Sequence, residues 1–406
     1  MRGGAVVIAT RYSQARHQAL QGARLSHPTA RIAPNGHGPR PPMGRRTGPF
    51  LVLIVALAAL VLLGLVMALS ATAAPSLSGT DSAWSLFRSQ AMWLGVGTVG
   101  VLVLLRLDYH RWQRPAGLGM GACLLLLALT AVPSVGLSAN GARRWLGTGS
   151  IVFQPSELTK LAFIVFVAEL LSRPERHMED TRATLQPVLI LTGVVSALLM
   201  MQPHLGACLL IVGVAMTMLY FGGARLSHLA LASAVGASLT ALLVAYSPWR
   251  RDRVLGFLDP WEDPLGNGYQ TLRSLHAMAV GGIDGLGLGS GRAKWGFLPY
   301  AHTDFIFAVI GEELGLLGSL FVVTLFVVIA ATGLTVALKA PDRFGMLLAA
   351  GITSWIILQA ALNIGAAVAV FPVVGITLPL LSFGGTSLVT TMAAMGILLN
   401  VARQIR

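Results

Sequence analysis

The chain has 406 residues, of which 55% are hydrophobic and only 11% are charged. Soluble domains carry about a quarter charged residues, so this composition excludes a series of soluble domains and indicates that the bilayer is the main solvent. The formal net charge of +13 does not indicate nucleic-acid binding. Its arginines concentrate in an N-terminal tail and in short segments between apolar runs, as is typical of membrane proteins.

The first 48 residues differ in composition from the rest of the chain. They contain eight arginines and no acidic residue, and they lack helical periodicity. Segments with many charges and few apolar residues cannot bury enough surface to fold. We therefore predict a disordered basic cytoplasmic tail over residues 1–48 and a single transmembrane domain over residues 49–406.

Ten apolar runs follow the tail, and a bilayer-spanning helix needs about 20 apolar residues. The fourth run is short and is expected to extend into Gln154–Thr159. The eighth contains Glu312, Glu313 and Gly315, so it is expected to bend or to begin outside the bilayer. The runs lie at about 50–70, 90–106, 117–134, 159–171, 185–201, 205–221, 227–246, 305–338, 344–370 and 378–401. The predicted fold is all-α and polytopic, with about ten transmembrane helices.

The arginine pattern also predicts the orientation. Basic residues accumulate in alternate loops, which places both termini in the cytoplasm under the positive-inside rule. The extracytoplasmic loop between helices 7 and 8, residues 247–302, is too long for a simple connector and is rich in glycine, tryptophan and charge. A few arginines lie on the outer side against the rule, which suggests an anionic ligand. They are Arg143, Arg144, Arg250, Arg251 and Arg253.

Asp304 follows this loop at the start of the eighth run. One interpretation is a carboxylate stabilised by the dipole at a helix N-terminus. The other is a general base at the boundary between water and bilayer, next to His302, where partial burial would raise its pKa. The bare sequence leaves both open.

Two further groups of charged residues lie at membrane depth, where ionisable groups are costly. Glu312 and Glu313 are either structural or line a cavity. Glu157 and Lys160 are three residues apart on one helical face, so they form either a structural ion pair or a substrate contact.

The sequence assigns no metal ligand. His204 has no second histidine at metal spacing. The acidic stretch from Asp259 to Asp263 could hold a divalent cation, Mg²⁺ or Mn²⁺, weakly. Cys123 and Cys208 lie inside apolar runs and are interpreted as small core residues.

Several segments, in their order along the chain, resemble the SEDS family (shape, elongation, division and sporulation) of RodA, FtsW and SpoVE. The resemblance covers residues 50–403. The matching stretches include Asn140–Trp145 (NGARRW), Gln154–Lys160 (QPSELTK), Asp263–Gln270 (DPLGNGYQ), His302–Phe307 (HTDFIF), Gly311–Gly315 (GEELG), Gly375–Pro379 (GITLP) and Ser382–Ser387 (SFGGTS).

The resemblance implies a ten-helix peptidoglycan glycosyltransferase in the bacterial cytoplasmic membrane. Such an enzyme polymerises lipid II into a nascent glycan strand at the outer face, by inverting transfer with undecaprenyl pyrophosphate as leaving group. It also implies a class B penicillin-binding protein as partner. The motif spelling and the N-terminal extension favour the division-type, FtsW-like branch. The alternatives are an elongation-type polymerase, a lipid II flippase or transporter, and a non-catalytic scaffold.

Carried over by motif, Asp304 matches the aspartate that the family needs for polymerisation. Two departures remove a carboxylate from the outer side: His204 and Tyr300 stand where the family usually has acidic residues. The expected substrate-binding residues are Arg143, Arg144, Glu157, Lys160, Arg250, Arg251, Arg253, Gln270, Ser274, Lys294, His302, Thr303, Glu312 and Ser382.

Overall fold

The computed structural model describes residues 47–72, 84–139, 142–148, 151–173 and 184–405. Residues 1–46, which make up nearly all of the predicted basic tail, lie outside these ranges. The described residues form twelve α-helices, and ten of these correspond to the predicted apolar runs. They are α1 (Gly48–Thr72), α2 (Ser85–Arg106), α3 (Ala116–Ala131), α4 (Pro155–Ser172), α5 (Gln186–Met201), α6 (Leu205–Gly222), α7 (Leu226–Ala245), α8 (Pro248–Leu258), α9 (Tyr269–Gly281), α10 (Ile306–Leu338), α11 (Arg343–Ala367) and α12 (Gly385–Ala402).

Local sequence explains where several helices begin, end or break. Pro155 occupies the first turn of α4, where its missing N–H costs nothing, so the fourth run does extend as predicted. Asp342 caps α11 by accepting a hydrogen bond from the Gly345 N–H at 2.8 Å. The predicted bend in α10 is confirmed at Gly315, which has a φ of 66°.

The helices pack around a buried core that includes Phe163, Phe344 and Trp355. Glycines allow close approach at two contacts in this bundle. A Cβ atom at Gly97 of α2 would lie 2.4 Å from the sulfur of Met392 in α12. A Cβ atom at Gly385 would lie 2.4 Å from the indole nitrogen of Trp93. The α2–α12 contact therefore depends on small residues, as is typical of helices packed within a membrane.

Six helices within the described ranges are long and apolar enough to cross a membrane: α1, α2, α6, α10, α11 and α12. Three further apolar helices, at Ala116–Ala131, Gln186–Met201 and Leu226–Leu242, are shorter. Large apolar side chains cover the outer faces, as at Leu118, which is 81% exposed. An apolar outer surface of this extent is incompatible with water, so the chain is a membrane protein. The ten crossings and cytoplasmic termini remain predictions.

The segments between helices contain elements that the all-α prediction did not include. A three-stranded antiparallel sheet precedes α4, with β1 at Leu137–Ala139, β2 at Ala142–Thr148 and β3 at Ile151–Phe153. The long loop 247–302 contains α8, α9 and a 3₁₀ turn at Ala293–Trp295. The loop is therefore an ordered cap and not a bare connector.

Candidate active site

Asp304 lies in a tight turn directly before α10. Tyr300 has a left-handed backbone with a φ of 58°, a conformation that is costly for a tyrosine. Its carbonyl accepts hydrogen bonds from the N–H groups of Thr303, Asp304 and Phe305 at 3.1, 3.1 and 3.3 Å. The helix begins at Ile306 without a side-chain cap. Asp304 thus lies two residues before the first residue of α10. The dipole-stabilised carboxylate and the general base both stay predictions.

Side chains from two distant segments hold this turn in place. The Asn363 amide of α11 donates to the Asp304 carbonyl and to the Ile376 carbonyl, both at 2.7 Å. The Ser382 hydroxyl donates to the Thr303 carbonyl and accepts from the Leu378 N–H. The Asp304 turn is thus fixed to α11 and to the segment between α11 and α12.

The Asp304 side chain faces a cavity of about 490 Å³ at one end of the helix bundle. Its walls come from β2, α8, the Asp304 turn and the segment before α12. It contains one carboxylate, two guanidinium groups and several hydroxyl and amide groups. The lining residues are Arg144, Trp145, Gln154, Arg253, Tyr300, Thr303, Asp304, Val374, Gly375, Thr377, Phe383, Gly384, Thr386 and Ser387.

Opposing effects set the proton affinity of Asp304. Burial raises its pKa from 3.8 to about 6, although the positive charges of Arg144 and Arg253 and the Thr303 hydroxyl each lower it. A carboxylate with a pKa near 6 is largely ionised at neutral pH and is basic enough to accept a proton. The environment therefore suits a general base.

Both arginines of the cavity are fixed by backbone carbonyls. The Arg144 guanidinium donates to the Gln202 carbonyl at 3.0 Å and to the Pro203 carbonyl. The Arg253 guanidinium donates to the Val373 carbonyl at 3.1 Å. Burial and the charge of Arg253 lower the pKa of Arg144. Two fixed positive groups beside a carboxylate form a binding site for an anion that develops near Asp304.

The other outer arginines do not line this cavity. Successive side chains of a strand point to opposite faces. Arg143 therefore lies on the exposed face of β2 when Arg144 faces the cavity. Arg251 is exposed on α8. The side chain of Arg250 lies outside what the structure describes.

The remaining expected contacts in the loop also have other positions. Gln270 is half-buried on α9. The Ser274 hydroxyl, fully buried, donates to the Ala367 carbonyl at 2.7 Å and joins α9 to α11. The His302 ring packs edge-on against Phe383 with centroids 5.9 Å apart, and burial lowers its pKa. None of the three is among the residues that line the Asp304 cavity.

Glu312 holds the glycine-rich segment (residues 281–298) against α10. Its carboxylate accepts hydrogen bonds from the Arg292 N–H at 2.7 Å and from the Ala293 N–H at 3.0 Å. The Glu312 carbonyl accepts from the Leu286 N–H at 3.0 Å. Irregular backbone near membrane depth needs such partners. The structure therefore gives Glu312 a structural contact, and its expected contact with substrate stays a prediction.

Glu313 forms the second anchor of the same segment. The Lys294 ammonium donates to the Glu313 carboxylate at 2.7 Å and to the Ser70 hydroxyl at 2.9 Å. The Gly289 N–H donates to the other Glu313 oxygen at 3.1 Å. Lys294 is 1% exposed in its side chain. It is therefore paired inside the protein and is not placed to contact a pyrophosphate.

Glu157 and Lys160 form a buried ion pair with a Nζ–Oε1 distance of 2.7 Å. The ammonium also donates to the Gln359 side-chain oxygen at 2.8 Å. The Gln359 amide in turn donates to the carbonyl of Thr377, a residue of the cavity wall, at 2.9 Å. This arrangement matches the structural alternative, because the pair reaches the cavity only through Gln359 and Thr377.

His204 is almost fully buried just before α6. Burial, followed by the charges of Arg144 and Lys160, lowers its pKa to about 3, so the ring is neutral. The ring hydrogen-bonds the backbone of Gly375. A Cβ atom at Gly375 would lie 3.8 Å from the Asp304 carboxylate. The residue that departs from the family pattern therefore supports the wall opposite the candidate base.

The acidic stretch considered for a divalent cation has other partners. Asp259 accepts a hydrogen bond from the Trp261 N–H at 3.1 Å. Asp263 accepts from the Gly266 and Asn267 N–H groups at 3.0 and 2.9 Å. Within the described ranges, no three His, Cys, Asp or Glu side chains are grouped so as to hold a metal ion. We therefore assign no step to a cation.

The sequence reasoning missed part of the cavity. Trp145, Gln154, Thr377, Thr386 and Ser387 line it, but none was among the expected contacts. Most belong to motifs that were noted only for their resemblance. Polar residues that recur in otherwise apolar segments were the available signal.

The fold and the cavity together define the class of this protein. It is a helical membrane protein that holds the Asp304 carboxylate, whose pKa is raised, together with two arginines in one cavity. The family model for FtsW, RodA and SpoVE, described as cell cycle protein, matches residues 50–406. The chain therefore belongs to this family, as the sequence motifs predicted.

Relatives and solved structures agree with this assignment. Stage V sporulation protein E of Bacillus subtilis (strain 168) is 39% identical over 362 residues, which cover 89% of this chain and 99% of that protein. A probable peptidoglycan glycosyltransferase FtsW of Mycobacterium tuberculosis (strain ATCC 25618 / H37Rv) is 40% identical over 89% of this chain and 69% of its own length.

Two solved structures share the fold. A chain from a study of polymerization and crosslinking by a peptidoglycan synthase complex has a TM-score of 0.72 and 33% identity, over 86% of this chain and 96% of its own. The rod shape determining protein RodA of Thermus thermophilus has a TM-score of 0.64 and 30% identity, over 87% of this chain and 97% of its own.

Proposed function

We propose that this protein is a peptidoglycan glycosyltransferase that polymerises lipid II into glycan strands. The observation that carries this function is Asp304, a carboxylate of pKa about 6 that shares one cavity with two fixed arginines. Relatives named as peptidoglycan glycosyltransferases support it.

Asp304 acts as the general base. The hydroxyl oxygen of the acceptor sugar forms a bond to the anomeric carbon of the donor while Asp304 takes its proton. The bond between that carbon and the diphosphate oxygen breaks, and undecaprenyl pyrophosphate leaves with the electron pair. The α-linked donor thereby becomes a β-1,4 link. Arg144 and Arg253 stabilise the charge that grows on the leaving diphosphate.

The test is a polymerisation assay with the purified protein, its partner and labelled lipid II. Asp304→Ala and Asp304→Asn remove the base, and we expect glycan ladders on gels to disappear with either variant. Asp284→Asn is the matched control, since Asp284 is exposed in the outer loop and does not line the Asp304 cavity. It is expected to leave the ladders unchanged.

The same assay separates the other functions. Ladders of equal length from the wild type and Asp304→Ala would reject the role of Asp304. Absence of polymerisation by the wild type, together with lipid II transfer between leaflets of a vesicle, would favour a flippase. Absence of both would favour a scaffold. The position of the base at one end of the bundle supports the enzyme, because a carrier site lies near the midplane.

We further propose a class B penicillin-binding protein as partner. The peptidoglycan synthase complex among the solved structures supports this pairing. Affinity purification of the tagged chain should recover a protein labelled by fluorescent penicillin, and recovery of none would contradict it.

The division-type role and the location in the bacterial cytoplasmic membrane belong to the same proposal. Both FtsW and SpoVE proteins occur among the relatives. Depletion of this protein from growing cells should produce filaments with unfinished septa. Rounded cells would instead indicate an elongation role.

A further inference from the structure

A second cavity of about 460 Å³ lies beside α9, between this helix and the glycine-rich segment. It shares no lining residue with the Asp304 cavity. Three basic side chains, Arg273, His276 and Arg292, contribute to its wall.

The charge of this cavity suits an anion. Its one acidic residue, Glu312, has both carboxylate oxygens bonded to the backbone N–H groups of Arg292 and Ala293. The Arg273 guanidinium lies 5.1 Å from the Tyr269 ring centroid, and this cation–π contact holds it in place. The cavity therefore carries a net positive charge. An arginine guanidinium binds phosphate oxygens through two parallel hydrogen bonds.

The remaining wall is apolar and lies close to the membrane-facing surface. Val280, Leu286 and Phe297 line the cavity and are 44%, 42% and 53% exposed. The glycine-rich segment is bonded to the break in α10, where the Leu316 N–H donates to the Gly282 carbonyl at 2.9 Å. Beyond this bond, α10 continues as a candidate membrane span with exposed leucines. A ligand here meets both positive charge and apolar surface.

We propose that this cavity binds the phosphate group of a membrane lipid. Arg273 and Arg292 hold the phosphate oxygens, His276 donates one further hydrogen bond, and the hydrocarbon chain lies along Val280, Leu286 and Phe297. The lipid is either an anionic glycerophospholipid or a polyprenyl phosphate, because both present a phosphate group without a cationic group beside it. Such a site needs no chemistry at Asp304 and so goes beyond the proposed transferase reaction.

The site adjoins the catalytic cavity. Leu298 lines the lipid cavity and Tyr300 lines the Asp304 cavity. Two residues of extended chain span at most about 7 Å. A lipid held by Arg273 and Arg292 therefore contacts a wall residue, Leu298, that lies two residues before Tyr300 in the Asp304 turn.

Native mass spectrometry of the detergent-purified full chain measures lipid retention directly. Separate titrations use phosphatidylglycerol, undecaprenyl phosphate and phosphatidylcholine, with inorganic phosphate as competitor. We expect the wild type to retain one copy of phosphatidylglycerol or undecaprenyl phosphate. The double variant Arg273→Gln with Arg292→Gln should weaken that retention by about tenfold or more, since it removes the charge-assisted hydrogen bonds.

Two further variants keep the test independent of folding. Arg88→Gln removes an exposed arginine that lines neither cavity and should retain lipid like the wild type. Val280→Trp fills the apolar wall but keeps the arginines, and should weaken lipid retention without changing competition by phosphate. Equal retention of phosphatidylcholine, or unchanged retention in the double variant, would overturn the site. Binding of inorganic phosphate alone would overturn its assignment to a lipid.

Discussion

At the scale of single residues, the balance around Asp304 matters most. The carboxyl group is shielded enough for its pKa to rise to about 6, yet it stays close to two positive groups that oppose this rise. Without Arg144 and Arg253, the pKa of Asp304 would be higher than it is, because both charges oppose the effect of burial. In the proposed reaction the arginines therefore favour the ionised form of the base and also bind the leaving group.

The first prediction concerns pH. A base must be ionised to act, so polymerisation should be present above pH 6 and lost as the pH falls through about 6. Arg144→Gln should move this acidic limb to higher pH, because the charge of Arg144 lowers the pKa of Asp304. It should also reduce the rate by about a hundredfold, as loss of one transition-state donor does. Profiles of kcat/KM against pH measure both.

Arg88→Gln serves as the control for this profile. It removes the same charge from an exposed residue that lines neither cavity, and it should leave the limb near pH 6. An acidic limb that stays in place in Arg144→Gln would show that Arg144 does not act on the base.

The second prediction concerns His204. A carboxylate at this position would be stabilised by Arg144 and Lys160, the two charges that oppose protonation of the imidazole. His204→Asp should therefore raise lipid II polymerisation in liposomes, by about fivefold for about 1 kcal/mol of added stabilisation. His204→Leu removes the bond to Gly375 and should lower it. Unchanged activity in His204→Asp would show that the lost carboxylate has no role.

At the scale of elements, the glycine-rich segment depends on α10. Two carboxylates, which would be costly inside an apolar helix, bond the backbone and the lysine of a neighbouring irregular segment. The break at Gly315 supplies the geometry, because the carbonyls before it accept hydrogen bonds from residues 286 and 287. Loop and helix thus form one structural unit.

The third prediction follows from this unit. Glu313→Gln leaves the Lys294 charge buried without its partner, which costs about 3–5 kcal/mol in comparable pairs. We expect a clear fall in thermal unfolding temperature in detergent. The double variant Glu313→Leu with Lys294→Met removes both charges and should recover most of the loss. A double variant as unstable as the single one would mean that the pair itself is not the cause.

The sequence was informative about helices and less so about the site between them. Apolar runs predicted the positions of ten of the twelve described helices, because burial in a bilayer leaves a strong compositional signal. The start of α4 and the bend at Gly315 followed from proline and glycine chemistry. The small sheet at residues 137–153 was missed, since three short strands carry little periodic signal.

Tertiary contacts explain what the sequence could not provide for the site. The sequence does not distinguish Arg143 from Arg144. The geometry of strand β2 shows that Arg144 faces the cavity and Arg143 does not. Lys294 looked like a phosphate contact until the structure paired it with Glu313, 19 residues further on. Residues 374–387 form part of the cavity wall, and hydrogen bonds from Asn363 and Ser382 hold this part of the fold beside the Asp304 turn. No local sequence pattern predicts these contacts.

At the scale of the whole molecule, the cavity and the ordered loop lie at one end of the bundle. α3 has 16 residues and is about 24 Å long, shorter than a bilayer core of about 30 Å. Shorter helices of this kind are accommodated by tilting neighbours and thinning of the bilayer. Ten crossings with both termini inside therefore remain our proposed topology.

The fourth prediction tests this topology. In a background without Cys123 and Cys208, a cysteine at Asp284 should react with a membrane-impermeant maleimide in intact spheroplasts. A cysteine at Lys339, on the proposed inner side, should react only after permeabilisation. Both positions are exposed in the structure. Labelling of position 339 in intact spheroplasts would contradict the proposed orientation.

The Glu313–Lys294 pair also affects the insertion of the protein into the membrane during its synthesis. Lys294 leaves the ribosome before Glu313, so its partner is already present when the helix carrying both glutamates reaches the insertion machinery. A charged side chain at the centre of an inserting helix costs about 2.5–3.5 kcal/mol, and α10 carries two near its start. We expect the glycine-rich segment to cross to the outer side together with the start of α10, with the loop neutralising the helix during biogenesis.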